Sequence, residues 1–291
     1  MEIQNKTLKN GFSIPEYGIG TWEMGGKYER DISNDDALDI KSIQDAISLG
    51  VTHIDTAEIY AGGHTEEIIA EAIKSGNIDR TKLFITSKAS GDDLSYDGII
   101  NSCKESLKRL GTDYLDLYLL HWYGENFSLE ISIKALNDLK DQGLVKNIGV
   151  SNFGVDHLRD AMRFSKSPIV CDQVHYNLRV REAQYTGLLK FCKENDVMVV
   201  AYRPLEKGAI MQPITEVLDE MSRKYNKTPA QTAINWLISQ ENVVVIVKSR
   251  DNKHLEENLG SLGWKMSPDD VEKLSLEFPG QVIVSDVVTL G

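Results

Sequence analysis

Along most of this chain, apolar and polar positions follow one repeating rhythm. A segment with apolar residues three and four apart is followed by a short loop and then by a brief, mostly apolar run. The first such segment, Asp35 to Leu49, puts Ile40, Ile43 and Ile47 on one helical face, with Ser33 or Asn34 placed to cap it and Gly50 to end it. Thr65 to Ser75, stopped by Gly76, and Ile99 to Leu110, stopped by Gly111, repeat the theme. Pro229 after Thr228 and Pro268 after Ser267 mark two later helix starts. The apolar runs predict strands at Val51–Asp55, Leu83–Lys88, Tyr114–His121, Asn147–Ser151, Ile169–His175, Val197–Arg203 and Val243–Lys248, with an eighth expected near Leu259–Trp264.

Strands that alternate with helices imply parallel pairing through right-handed crossovers, and eight such units close into an α/β structure of the (β/α)8 TIM barrel type. An open doubly wound sheet has the same periodicity and stays possible at this point. Ahead of the repeat, Asn10-Gly11 lies between two strand-like stretches and predicts an N-terminal β-hairpin with a type I′ turn within residues 1–16. No linker or low-complexity stretch divides the chain. The expectation is one barrel domain over 1–291, with the hairpin as a plug and 265–291 as a C-terminal helix and tail.

Composition narrows the function classes. Of 291 residues, 41% are hydrophobic and 26% charged, an ordinary balance for a chain with a large core. A net charge of -12 argues against nucleic acid or an anionic membrane as the main partner. Three cysteines without a Cys-x-x-Cys pair fit a reduced, cytoplasmic setting. The N-terminal MEIQNKTLKN has no apolar core, and no run approaches the ~18 apolar residues of a membrane span, so neither a signal peptide nor a membrane segment is expected.

Polar residues gather where the predicted strands end: Asp55, Lys88, His121, Ser151-Asn152, Gln173, Tyr202 and Lys248-Ser249. Asp55, Lys88 and His121 are each 33 residues apart, which in a strand–helix repeat suggests equivalent places at one mouth. Active sites of barrels sit at that C-terminal mouth, and open sheets bind ligands at the same ends. A lone polar residue there is usually a solvated terminus, whereas an Asp, a Lys and a His on successive strands form a charge-coupled set. Other chemistries lack their motifs. There is no His-Glu-x-x-His, no Gly-x-Ser-x-Gly and no phosphate loop of the Gly-Lys-Ser/Thr type. Gly18-Ile19-Gly20 begins like a dinucleotide fingerprint but lacks its last glycine. The six histidines show no ligand spacing, so no metal is expected, and His53 reads as a packed residue.

Several stretches together resemble the aldo-keto reductase superfamily. They are Gly20-Thr21-Trp22, His53 to Tyr60 (HIDTAEIY), Ile85 to Lys88 (ITSK), Asp116 to Trp122 (DLYLLHW), Ile148 to Phe153 (IGVSNF), Gln173, Ala201 to Leu205 (AYRPL), Val247-Lys248-Ser249 and Glu257-Asn258. Their order spans nearly the whole chain. The resemblance implies an eight-stranded barrel with a hairpin across its bottom, NADPH (NADP+) held extended at the top, and a catalytic tetrad of Asp55, Tyr60, Lys88 and His121. It also places Gly20, Thr21, Trp22, Asp55, Ser151, Asn152, Gln173, Tyr202, Arg203, Pro204, Leu205, Lys248, Ser249, Arg250, His254, Glu257 and Asn258 around the cofactor. Trp22, Tyr60, His121, Trp122 and Tyr123 fall to the substrate.

The implied chemistry is coherent on its own terms. Carbonyl reduction needs a hydride to carbon and a proton to oxygen. A tyrosine with an ordinary pKa of about 10 is a weak acid, and an adjacent lysine ammonium is expected to lower that value. A histidine can hold the carbonyl oxygen by a hydrogen bond. Ser151, Asn152 and Gln173 offer groups for a carboxamide, and Tyr202 offers a ring for stacking. Lys248, Ser249, Arg250 and His254 form a basic cluster suited to a 2′-phosphate. Many family members have arginine where this chain has His254, with Arg250 expected to compensate. The expected partner is a small carbonyl or alcohol substrate, and the expected assembly a monomer or weak homo-oligomer. Two other classes stay open: a Schiff-base lyase using Lys88 or Lys248, and a non-enzymatic NADPH sensor.

Overall fold

Two-residue periodicity sorts the strand side chains between a barrel lumen and an outer layer under helices. The computed structural model describes residues 3–89, 93–124 and 126–290. Strands β1 (Asn5–Thr7) and β2 (Ser13–Pro15) form an antiparallel pair. The barrel strands are β3 (Tyr17–Gly20), β4 (His53–Asp55), β5 (Phe84–Ala89), β6 (Leu117–Leu120), β7 (Ile148–Ser151), β8 (Ile169–His175), β9 (Met198–Tyr202) and β10 (Val243–Val247). They close in sequence order, β10 pairing with β3, and every pairing is parallel. The barrel is therefore the outcome, and the open sheet is excluded.

Along β6, Leu117 and Leu119 enter the lumen while Tyr118 and Leu120 join the outer core. Along β10, Val244 and Ile246 point in and Val243, Val245 and Val247 point out. Phe12 and Ile14 of the hairpin belong to the lumen cluster, so the hairpin plugs one end. Helices cover the outside, several ended as the sequence suggests. Gly111 is left-handed after Leu110, and Thr228 with Gln231 forms a capping box ahead of Pro229.

The structure corrects three local expectations. The hairpin turn is not type I′: the Gly11 N–H donates to the Leu8 carbonyl, and of Asn10 and Gly11 only Gly11 has a positive φ. Asn10 is fixed by its backbone N–H to Asp196 and by its side chain accepting from Phe12, which gives a longer loop ending in a left-handed glycine. Asp35, not Ser33 or Asn34, caps the helix Asp36–Ser48, while Asn34 bonds Asp36 and Asp39. Leu259–Trp264 is not a strand; there the helix Asn252–Leu259 ends in turns whose leucines pack into the outer core. The missing eighth strand is β3, which two glycines disguise. Gly18 is required there, because a Cβ would stand 2.5 Å from Nδ1 of His53. Among the described residues no helix is long and apolar enough to cross a membrane.

Candidate active site

Register explains how the buried charges meet. Cα pairing sets Asp55 of β4 opposite Thr86 of β5, so Lys88 stands two residues beyond its level. The spacing of 33 is thus not an equivalent register, but an even offset keeps both side chains inside the barrel. Lower in the lumen, His53 Nε2 meets Thr86 Oγ1 at 3.1 Å. Burial, with Lys88 adding to it, depresses His53 to a pKa of about 3, so it is the packed, neutral residue expected. One step higher, Lys88 Nζ lies 2.6 Å from Asp55 Oδ1 and 2.7 Å from the Thr56 carbonyl. Both side chains are essentially inaccessible to solvent. Burial pushes Asp55 up and Lys88 down, and each counters the shift in the other.

Tyr60 and His121 lie over this pair. His121 follows β6, its N–H donating to the Ala89 carbonyl. Tyr60 opens a tight 3-10 turn whose next residues, Ala61, Gly62 and Gly63, all have positive φ, and this turn folds the ring back over the mouth. The Tyr60 and His121 ring centroids are 5.9 Å apart, and Lys88 Nζ is 5.3 Å from the Tyr60 centroid. Trp22 packs edge-on to Tyr60 at 4.9 Å and to Tyr28 at 5.1 Å. The expectation that Lys88 lowers the Tyr60 pKa is not met. Burial, reinforced by the Asp55 carboxylate and by Tyr28, raises it well above 10. His121 is depressed well below 6.5 by burial and by Lys88, so its imidazole is neutral.

Beside the tetrad runs a platform of amides. Gln173 Nε2 donates to Asp55 Oδ2 at 2.7 Å. Ser151 Oγ donates to the Gln173 carbonyl at 2.7 Å, and Asn152 Nδ2 reaches Ser151 Oγ and the His121 carbonyl, each at 3.0 Å. Tyr202 donates its hydroxyl to Asn152 Oδ1 at 2.8 Å while its ring stacks on His175.

A cavity of about 660 Å³ opens over tetrad and platform. Its lining includes Gly20, Thr21, Trp22, Asp55, Tyr60, His121, Trp122, Ser151, Asn152, Gln173, Tyr202, Arg203, Pro204, Leu205, Lys248, His254, Glu257 and Asn258. Four expected residues stand outside its lining, and one of them, Lys88, lies buried beneath it. Tyr123 turns away and stacks on His157 with ring centroids 3.8 Å apart, so it does not face the substrate space. Ser249 donates to the Asp251 carbonyl. Arg250 does not supply a free cation, because its guanidinium is held by buried Asp39, with Nε 2.5 Å from Oδ1.

The comparisons agree with this geometry. The family model described as "Aldo/keto reductase family" matches residues 16–275. The chain belongs to the aldo/keto reductase family. It is an oxidoreductase of that type. Methylglyoxal reductase YeaE of Escherichia coli (strain K12) is 33% identical over 271 residues, 92% of each chain. The crystal structure of a thermostable aldo-keto reductase with the inhibitor epalrestat superposes with a TM-score of 0.88 at 41% identity, covering 94% of this chain and 99% of that one. An aldo-keto reductase from Klebsiella pneumoniae in complex with NADPH gives a TM-score of 0.82 at 28% identity, with 96% of both chains covered.

The cavity wall also includes residues that sequence reasoning missed. Glu23, Tyr28, Lys207, Met211, Val287 and Val288 line the cavity. Lys207 had a signal, since it extends the Ala201–Leu205 stretch toward a glycine; the tail valines had none. The tail is tied down from below. The Ser285 and Leu290 N–H groups donate to the two Glu182 carboxylate oxygens at 2.8 and 3.1 Å. His175 joins Ser285 Oγ through Nδ1 at 2.9 Å and Glu206 through Nε2 at 2.7 Å.

Proposed function

We propose that this aldo-keto reductase reduces aldehyde and ketone carbonyls with NADPH, in a reaction reversible with alcohols, and that Asp55, Tyr60, Lys88 and His121 are its catalytic residues. The observation that carries the reading is the meeting of Tyr60 and neutral His121 over a buried Lys88–Asp55 ion pair, at the base of an aromatic-walled cavity. NADPH bound in the cleft supplies the hydride.

The chain's own groups do the rest. Tyr60, kept protonated by burial, gives its hydroxyl proton to the carbonyl oxygen as negative charge develops there. The Lys88 ammonium stabilises the tyrosinate left behind, and Asp55 holds that ammonium in place. His121 holds the oxygen by a hydrogen bond from a neutral ring. This geometry leaves Lys88 unsuited to Schiff-base chemistry, which needs a free amine.

The donor set fits the cofactor. Ser151, Asn152 and Gln173 present amide and hydroxyl groups for a carboxamide, and the Tyr202 ring offers a stacking face. A Cβ at Gly20 would meet nothing within 4 Å, so backbone there lies open to the cleft. Lys248, Lys207 and Arg203 supply positive charge for phosphates, and His254 lines the same cleft.

At the substrate end, Trp22, Tyr28, Trp122, Val287 and Val288 wall the space, and among the described residues the cation found over the Tyr60 ring is buried Lys88. The substrate is accordingly an uncharged carbonyl, with short 2-oxoaldehydes supported by the Escherichia coli relative. A cytoplasmic monomer or weak homo-oligomer without a nucleic-acid role fits the acidic surface and three buried free cysteines. The test is loss of NADPH absorbance with methylglyoxal and with an aromatic aldehyde. Turnover with either supports the reading; tight NADPH binding with no turnover across a broad carbonyl panel overturns it.

A further inference from the structure

Two cations of the basic cluster, Arg250 and Lys248, are already matched by carboxylates of this chain. Arg250 is consumed by Asp39. Glu23 does the same for Lys248. It follows the β3 strand by three residues and sits at a φ of 68°. Its carbonyl accepts from Arg250 Nη2 at 2.7 Å, which pins the loop and directs the side chain into the cavity. One carboxylate oxygen lies 3.1 Å from Lys248 Nζ and the other 3.9 Å from Lys207 Nζ. The two lysines come from different segments, the end of β10 and the loop after β9, and Glu23 stands between them. The Glu23 and Lys248 side chains keep 29% and 30% of their exposure, so the pair borders the cleft rather than the core.

A carboxylate between two ammonium groups occupies the electrostatic place of a phosphate. We propose that Glu23 is a specificity-determining residue, an internal counter-anion that holds Lys248 when no nucleotide is bound and weakens the preference for a 2′-phosphate. The inference rests on reading the cleft as a dinucleotide site. A 2′-phosphate must share Lys248 with Glu23 or displace it, and in either case it meets a like charge a few ångströms away. A nucleotide with a 2′-hydroxyl has no such competitor. Glu23 therefore narrows the gap between NADP+ and NAD+.

Calorimetric binding of NADP+ and NAD+ to the intact protein tests this without turnover. Replacing Glu23 by glutamine keeps size and hydrogen bonding while removing the charge. Glu23→Gln should tighten NADP+ by about tenfold, equivalent to about 1.4 kcal/mol, and leave NAD+ within about twofold. In a Lys248→Met background the same change should alter NADP+ affinity far less, since the competition it relieves is gone. Equal shifts for both nucleotides, or weaker NADP+ binding by Glu23→Gln, overturn the proposal and leave the dinucleotide reading intact. Wild-type protein that binds neither nucleotide removes that reading and the proposal with it.

Discussion

The side-chain amide of Gln173 donates to Asp55 Oδ2 at 2.7 Å, so one carboxylate holds both the amide platform and, through Oδ1, the Lys88 ammonium. Tetrad and platform are one network. Gln173→Leu leaves a buried carboxylate oxygen without a donor, at a cost of about 1–3 kcal/mol. Urea unfolding should show that loss, and NADPH affinity should fall in the same variant. Unchanged stability would mean that water replaces the amide and the coupling is not structural.

Tyr60 is assigned as the proton donor, and a phenylalanine there retains the ring that packs on Trp22 and His121. Tyr60→Phe should reduce kcat by about 10²–10⁴-fold, the usual range for a lost general acid. NADPH affinity should stay within about threefold. Because the hydroxyl titrates well above 10, reduction should show no alkaline fall near neutral pH from this group. Near wild-type turnover by Tyr60→Phe would remove the assignment.

Lys88 and Asp55 are a fully buried ion pair, which makes single and double substitutions diagnostic. Lys88→Met strands a buried carboxylate and should cost about 3–5 kcal/mol of stability. Adding Asp55→Asn should recover at least half of that loss while activity stays lost. A double variant as unstable as the single one would show that Lys88 matters through its bond to the Thr56 carbonyl instead.

How much of this was legible beforehand differs by element. Strands β4 to β10 could be read because each is an apolar run between periodic helices. Strand β3 could not, since Gly18 and Gly20 hide its pattern and only the contact with His53 shows why Gly18 is needed. Asp55, Lys88 and His121 could be placed by spacing, although the register showed that Lys88 lies two residues beyond the level of Asp55. Tyr60 depended on a turn of positive-φ residues that no periodicity signals. The basic cluster read as free charge in sequence, where partners such as Asp39 and Glu23 lie more than 200 residues away. Tyr123 was misplaced because adjacency to Trp122 says nothing about which way a loop residue turns.

The tail wall depends on Glu182, which receives the Ser285 and Leu290 N–H groups. Glu182→Ala should free the segment that carries Val287 and Val288 into the cavity. The expected result is a higher KM for bulky aromatic aldehydes, little change for methylglyoxal, and unchanged NADPH affinity. A uniform loss for all substrates would instead place the tail in folding rather than selection.

Two buried groups should pull stability in opposite directions with pH. His53 is neutral in the fold, with a pKa of about 3 against 6.5 when exposed. The unfolded chain binds more protons than the native one in that window, so His53 adds stability above about pH 6.5 that is lost as pH falls toward 3, by about 1.4 kcal/mol per unit. Asp172 is the reverse case. Burial raises its carboxyl to about 8 despite the Phe153 N–H, so the native state holds a proton that the unfolded chain releases above 3.8. Its contribution is present at low pH and is lost as pH rises from about 3.8 to 8. Between about pH 4 and 6.5 the two slopes oppose each other. Relative to wild type, His53→Gln should therefore gain stability as pH falls through this window, and Asp172→Asn should gain it as pH rises. Urea midpoints at three pH values in that range measure both slopes. Parallel curves for all three proteins would show that neither group is held in the protonation state assigned here.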